Sequence, residues 1–402
     1  MKSRGAVVIV VLFSLAASQC FAQSGAFYGN GDYSQISSDG KYLLAAKILD
    51  RNSPSPKYKY SLTDRQNNKV LWERDQKEGE APCLSLKITD KGLSIILTRK
   101  DQLIMVALDG NDLGKIDLIK DAFSDDEKQK YMAESSEGFL WNYCTQWYFA
   151  QEEEKDLYII NPYWGRRIII NLSNARIIEP TADTTASLDK MEREQILKNL
   201  EEGVNTKEKW VNASKNTDER RIFKAAFFAG KMEIKESIPW LKKLNDVSTV
   251  SFKSSGTVGL KYGGIIDRFV YQEFGVRSAV NLSLRRLGEK PGAYPCFQFM
   301  MMKKIDDMLK SVPYVPPETA GAQKGNAEKL TKGMNPQEVL DIMNIPDYID
   351  LRRWYYEIDD EKPYTLCVKW DMKGVLEINK ETPPFWKSEK ADKLVLHLHN
   401  FK

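Results

Sequence analysis

The 402-residue chain has only two histidines, His397 and His399, both among its last six residues. A histidine-based triad or a histidine-rich zinc site would therefore have to be assembled at the C-terminal tail. If Leu394 to His399 forms a strand, the two-residue spacing puts both imidazoles on one face. The sequence supplies no third ligand nearby, so a terminal strand without a metal is the expectation. No Gly-x-Ser-x-Gly and no paired catalytic cysteine motif occurs. Cysteine is scarce too. Beyond Cys20 there are Cys83, Cys144, Cys296 and Cys367, widely spaced and without a metal signature, too few to staple a chain of this length. The glycine-rich stretch Gly256 to Gly264 has neither Walker spacing nor a Gly-x-Gly-x-x-Gly after a strand, and is expected to be a mobile insertion loop. No catalytic, cofactor or metal site is expected. Carboxylate-only chemistry stays open, because Asp and Glu are abundant and only geometry identifies a working pair.

What is present begins with Lys2 and Arg4 before an apolar run from Ala6 to Ala17, followed by Cys20-Phe21-Ala22 before Gln23. This is the pattern of a signal peptide over 1–22, too short for a membrane span. Gln19 fits a lipobox poorly, so cleavage near Ala22 is expected. The protein should be exported, periplasmic or extracellular, with nucleic acid disfavoured as a partner. Export puts the four remaining cysteines in an oxidising compartment, where one or two disulfides can form. With 42% hydrophobic residues the chain has enough apolar material for a proper core.

From 23 to 180 the apolar period is two. Ile36-Ser37-Ser38-Asp39-Gly40-Lys41-Tyr42-Leu43-Leu44 is echoed by Ile88-Thr89-Asp90-Lys91-Gly92-Leu93-Ser94-Ile95-Ile96, a turn followed by an apolar strand in each case. Alternating runs follow at Tyr58 to Leu62, Val70 to Trp72, Leu103 to Leu108, Ile116 to Ile119, Leu157 to Asn161 and Ile168 to Leu172. These meanders resemble blades of a β-propeller, with three units visible; a sandwich or other open meander is the alternative. Asp109-Gly110-Asn111-Asp112 starts like a calcium loop, but Leu113 and Lys120 occupy donor positions, so a hairpin turn is expected. Trp141, Trp147, Tyr148 and Trp164 are the residues through which this domain would contact a glycan.

Residues 181–218 read as a helical connector, with Asp189 to Leu200 stopped by Gly203. In 219–312, Ile222, Ala226 and Ala229 form one stripe before Gly230. Ile238, Leu241 and Leu244 form a second short helix around Pro239. Val276, Ala279, Val280, Leu284 and Leu287 recur at three- and four-residue steps, ended by Gly288 and Pro291. Two helices with a tight turn, and elsewhere Val-Arg-x-Ala-Val ending in Leu-Gly, resemble HEAT repeats. Between Glu219 and Pro313 there are 17 Lys and Arg against nine Asp and Glu. That excess would suit a partner with an acidic surface, although solvated outer faces account for it as well. Asn171, Asn212 and Asn281 begin glycosylation triplets, relevant only in a eukaryotic secretory route.

A Pro-rich linker over 313–327 leads to 328–402. Asn335 is placed as an N-cap, with Pro336 at the first helical position and Glu338 three residues beyond the cap. Leu351 to Ile358, Tyr364 to Trp370 and Val375 to Ile378 then alternate as three strands. Gly-Met-Asn-x-x-Glu-Val before Pro-Asp, with a late Trp-Tyr-Tyr strand, resembles the small outer-membrane lipoprotein A family that serves β-barrel assembly, and the similar fold of β-lactamase inhibitor proteins. Asn344 stands where that family usually has Gly. The resemblance implies a binding module, with Trp354, Tyr355, Tyr356, Trp370 and Trp386 as candidate anchors; alternation sends about half of such residues to the domain's own core. Arg277 and Arg285 on the helical segment are the candidate charged contacts. The expected architecture is a multidomain α+β chain: a β-rich N-terminal domain, a HEAT-like helical middle and a small helix-plus-three-stranded-sheet module. The expected function is a non-enzymatic scaffold binding a protein at the cell envelope, and the alternative is a carbohydrate-binding or carboxylate-dependent glycan-active protein.

Overall fold

The structure, a computed structural model, describes residues 31–51, 53, 55–135, 138–141, 144–152, 155–211, 217–247, 252–262, 265–291, 294, 296–302, 312–313, 324–350, 353–371 and 374–397. Residues 1–22, expected as a signal peptide, and Asn212, His399 and residues 314–323 lie outside them. The fold is mixed α/β and divides into two compact units, Met1–Leu188 and Asp189–Lys402. Among the described residues no helix is long and apolar enough to cross a membrane.

The first unit is built from three four-stranded antiparallel meanders, each in sequence order. Sheet 1 holds β1 (Tyr33–Ile36), β2 (Tyr42–Ile48), β3 (Tyr58–Asp64) and β4 (Lys69–Asp75). Sheet 2 holds β5 (Cys83–Ile88), β6 (Ser94–Thr98), β7 (Gln102–Val106) and β8 (Asp112–Asp117). A short helix α1 (Asp125–Tyr131) and a ribbon of β9 (Ala133–Ser135) with β10 (Gly138–Leu140) precede sheet 3. Sheet 3 comprises β11 (Gln146–Glu152), β12 (Lys155–Asn161), β13 (Ile168–Asn171) and β14 (Arg176–Ile178).

The sheets share cores face to face. Ile96, Ile104 and Val106 of sheet 2 join Tyr42, Leu44, Tyr60, Leu62 and Trp72 of sheet 1 in one buried cluster. From the opposite face of sheet 2, Ile95, Leu97, Leu103 and Met105 join Tyr158, Ile160, Ile168 and Ile170 of sheet 3 in another. The far face of sheet 3 is closed by Leu188 against Leu157, Ile159 and Ile169. A strand covered on both faces loses its alternation, and every residue of β6 is buried.

The two echoed turns do the same local work. Gly40 and Gly92 both adopt positive φ (76° and 79°), and each donates its N–H back three residues, to the Ser37 and Thr89 carbonyls. The turns also meet, for the Ser38 hydroxyl and the Asp39 N–H both reach the Asp90 carboxylate, at 2.5 and 3.0 Å. The Asp109 segment is the expected turn: the Asn111 N–H caps the Asp109 carboxylate at 3.0 Å, and Asp112 is taken up by Arg74 and Lys77.

Helix α2 (Ala182–Asn205) begins in the first unit and continues into the second, where it is followed by α3 (Lys207–Val211), α4 (Thr217–Lys231) and α5 (Ile238–Leu244). Gly203 does not stop α2, as the sequence suggested. A Cβ there would lie 2.8 Å from Ile222 Cγ1, so the glycine admits α4 at close range, and its carbonyl accepts from Trp210 Nε1 at 2.8 Å.

The helical middle also proves to be half sheet. The stretch Gly256 to Gly264, expected as a mobile loop, lies for the most part in β15 (Phe252–Tyr262), which pairs antiparallel with β16 (Ile265–Glu273). β17 (Phe297–Met302) and β18 (Val312–Pro313) complete that sheet. A register shift between Ser254 and Val258, where Gly256 sits, interrupts the period of two and hid the strand.

Between β16 and β17 runs α6 (Gly275–Arg286). Its apolar spacing predicts one buried face, but every residue from Gly275 to Leu284 is buried, Arg277, Asn281 and Ser283 included. It ends as expected, with Gly288 at φ 82° and the Glu289 N–H on the Leu284 carbonyl at 2.8 Å. After α7 (Lys324–Ala327) comes α8 (Pro336–Met343), whose capping box forms as read: the Glu338 N–H donates to Asn335 at 3.0 Å, and the Asn335 N–H to Glu338 at 2.7 Å.

The C-terminal sheet has four strands, β19 (Tyr348–Asp350) joining the three expected, β20 (Arg353–Ile358), β21 (Tyr364–Asp371) and β22 (Gly374–Glu381). The last described element is α9 (Glu389–His397), so Leu394 to His397 is helical rather than a strand, and His399 lies outside the described residues. The helical middle and this module, expected as separate domains, belong to one compact unit.

Candidate functional site

The arginine pair at the end of α6 organises the polar interior of the second unit. The Arg285 guanidinium meets the Asp347 carboxylate at 3.2 Å, with both side chains largely buried. Asp347 also accepts the Glu357 N–H at 2.8 Å. Glu357 is 4% exposed; one carboxylate oxygen accepts from the Thr365 hydroxyl at 2.9 Å and the other has no hydrogen-bond partner. Burial pushes this carboxyl up to about 8, the Asp347 carboxylate adds to the rise, and Arg285 opposes it. The Tyr348 hydroxyl beside it is likewise buried without a partner, and burial raises it well above the ordinary tyrosine range.

On the other side of the pair, Arg286 and Lys231 converge on Asp392, at 2.7 and 2.8 Å. Asp392 is 1% exposed. Lys290 meets Asp359 at 3.0 Å nearer the surface. Four cations of the basic segment are thus balanced by acids of the C-terminal module. Part of the positive excess that suggested an acidic partner is satisfied inside the chain.

The expected contact residues fall mostly in the interior. Trp354, Tyr356 and Trp370 are core, with the Trp354 and Trp370 rings 4.7 Å apart. Arg277 is buried against the Phe274 ring and donates to the Asp246 carbonyl at 3.1 Å. Arg285 is held by Asp347, as described. Trp386 is half-buried. The spacing that marked these residues as strand or helix positions could not say which face the rest of the unit would cover.

Cys83, Cys144, Cys296 and Cys367 are buried, and no disulfide joins any of them, unlike the one or two that the sequence allowed. Asn281 is buried and donates to the Cys296 sulfur at 3.0 Å, which removes it as a glycosylation acceptor in the folded chain. Among the described residues no group of three or more His, Cys, Asp or Glu is placed to hold a metal.

The aromatic residues of the first unit are brought together. Trp141 lies 5.5 Å from Trp147 and 4.8 Å from Phe123, and Trp164 stacks on Tyr131 at 5.2 Å with the planes 1° apart. Phe123 lies 5.7 Å from Trp164, and Trp147 is 6.1 Å from Tyr158. Trp141, Phe123 and Tyr158 belong to the core, and Trp147 and Trp164 pack against it half-buried. Tyr148 packs separately, with Leu157, Ile159 and Leu188.

A feature not singled out in the sequence lies on sheet 1. Ile36, Leu43, Thr63 and Val70 are register partners in a continuous row across all four strands, on the face turned away from sheet 2. Val70 is 51% exposed and Ile36 43%, while Leu43 and Thr63 are half-buried. The adjoining row is small and polar, Ser34, Ala45 and Ser61 ending in Glu73, and beyond it come Lys47, Lys59 and Asp75. Both faces of sheets 2 and 3 have apolar cover among the described residues; this face does not.

No protein-family model matches the chain, and no curated protein matches it. One solved structure that it resembles is a europium-containing methanol dehydrogenase, at 8% identity and a TM-score of 0.20, over 87% of this chain. The chain spans 52% of that protein's length. A likeness this low supports no conclusion about fold or chemistry.

Proposed function

We propose that the protein is an exported, non-enzymatic scaffold that binds a protein partner at the cell envelope through the open face of sheet 1. In this reading the three meanders are blades of an open, propeller-like arc, the helices of the middle segment are HEAT-like, and the C-terminal module is of the assembly-lipoprotein type. The observation that carries the binding role is the row Ile36–Leu43–Thr63–Val70, uncovered among the described residues, apolar at three of its four positions and flanked by small residues that let another surface approach. Exposed apolar surface rimmed by polar and charged groups is the ordinary signature of a protein contact. Export rests on the residue pattern of 1–22.

The test is crosslinking in the native cell followed by purification of the tagged protein, comparing wild type with the double variant Ile36→Glu, Val70→Glu. Both positions are exposed, so the variant should fold as the parent does. A reproducible protein partner captured by wild type and lost in the variant is the expected result. Capture of glycan alone, of nothing, or of the same partner by both proteins would sink the proposal.

A further inference from the structure

The turn Phe385–Lys387, a single 3₁₀ turn carrying Trp386, is gripped from two sides. On one side the Phe385 N–H donates to Thr365 Oγ1 at 2.6 Å, and the Thr365 hydroxyl passes its own proton toward Glu357 at 2.9 Å. The Trp386 N–H also faces the Glu357 carboxyl. On the other side, Arg286 Nε donates to the Trp386 carbonyl at 3.1 Å while its guanidinium is fixed by Asp392. The Phe385 ring stacks on Tyr355 at 4.2 Å and lies 5.2 Å from Tyr348. The Glu357 carboxyl therefore ties this turn to the sheet, while Arg286 ties it to α6.

We propose that Glu357 is a proton-operated latch, closed while its carboxyl is neutral and loosened when it ionises, so that the Phe385–Lys387 turn and the adjoining part of β20 open at alkaline pH.

The groups facing Glu357 decide the direction. Arg285 from α6 is the cation acting on it among the described residues, and Asp347, just before β19, already occupies it. Tyr348 from β19 is neutral, and Thr365 from β21 and the Trp386 N–H supply neutral hydrogen bonds. With Glu357 protonated, one guanidinium faces one carboxylate. Ionisation strengthens the two hydrogen bonds but leaves two carboxylates for one guanidinium, and Oε1 stays buried without a partner. The raised affinity of this carboxyl for its proton means that the burial cost and Asp347 outweigh the hydrogen bonds. Hydrating the carboxylate requires its cover to move, and the short 3₁₀ turn is the lightest part of that cover.

Hydrogen exchange on the full chain, measured at about pH 6 and about pH 9 and corrected for intrinsic exchange, tests this. In wild type, amides of 353–358 and 384–388 should lose protection roughly tenfold at the higher pH, while those of α8 should not. Glu357→Gln should keep protection at both. Asp347→Asn, which removes the like charge and frees Arg285 for Glu357, should keep it too, and serves if the first variant fails to fold. Equal loss in wild type and whichever variants fold, or no pH-dependent loss in wild type, overturns the proposal.

Discussion

Ser283 and Gly230 meet where α6 crosses α4. The Ser283 hydroxyl donates to the Ala226 carbonyl at 2.5 Å, and a Cβ built on Gly230 would lie 2.5 Å from the Ser283 Cα. Backbone atoms cannot rotate away as a side-chain tip can. In an exposed helix Gly→Ala would gain about 1 kcal/mol of propensity, but here the crossing would have to be forced apart.

Gly230→Ala should therefore destabilise the second unit, by roughly 1–3 kcal/mol. Urea unfolding of wild type and variant measures it. A neutral or stabilising result would mean that the helices do not approach as closely as described.

Asp392 serves two cations at once, and removing it strands both. Asp392→Ala should cost about 3–5 kcal/mol, because a buried pair broken from one side leaves uncompensated charge. The Arg51–Asp32 pair, with side chains 70% and 48% exposed, provides the contrast. Arg51→Ala should change stability by less than about 1 kcal/mol. Thermal unfolding of the two variants side by side gives the comparison, and similar losses in both would contradict it.

Elements with local causes were legible in the sequence. The Asn335–Pro336–Glu338 cap, the Gly288 stop and the Gly40 and Gly92 turns each depend on a few neighbouring residues, and all four form as read. Asn344, noted as standing in place of a glycine, has φ 63° and ψ −163°, a backbone region that only glycine adopts without strain. What failed had long-range causes. Gly203 looked like a stop because the sequence does not show Ile222 pressing against it. Arg285 and Trp354 looked like contacts because their covers, Asp347 and Trp370, lie 62 and 16 residues away. The open row on sheet 1 was invisible because its members come from four strands, and only their register assembles them.

Asp101 should make the first unit lose stability as pH rises. Burial pushes its carboxyl up to about 7, with the Asp117 carboxylate adding to the rise. The folded protein thus holds this proton more tightly than the unfolded chain, whose aspartate titrates near about 4. Stability is then greatest below about pH 4, declines through the interval up to about 7, and is flat above it as far as this group is concerned. Asp101→Asn should remove that decline and stabilise the protein by about 2 kcal/mol at neutral pH. Asn is suited to the test because residue 101 has φ 56°, which Asn adopts readily. Urea midpoints across the pH range decide it, and parallel curves for wild type and variant would refute the assignment.

The four buried cysteines should behave as inert core residues even in an oxidising compartment. Only a thiolate attacks a disulfide or an aromatic disulfide reagent, so both access and ionisation must be available. Burial denies the first, and it pushes the Cys83 thiol up to about 12 and the Cys367 thiol up to about 11, which denies the second. Cys296 is covered as well and accepts a hydrogen bond from Asn281. Cys83, Cys144, Cys296 and Cys367 should therefore resist thiol reagents in the native protein and all react once it is unfolded. Reductant should leave both the unfolding midpoint and the non-reducing gel mobility unchanged. Rapid modification of any of the four in the native state, or a midpoint that falls with reductant, would show that the chain carries a disulfide or an open thiol site instead of a reduced core.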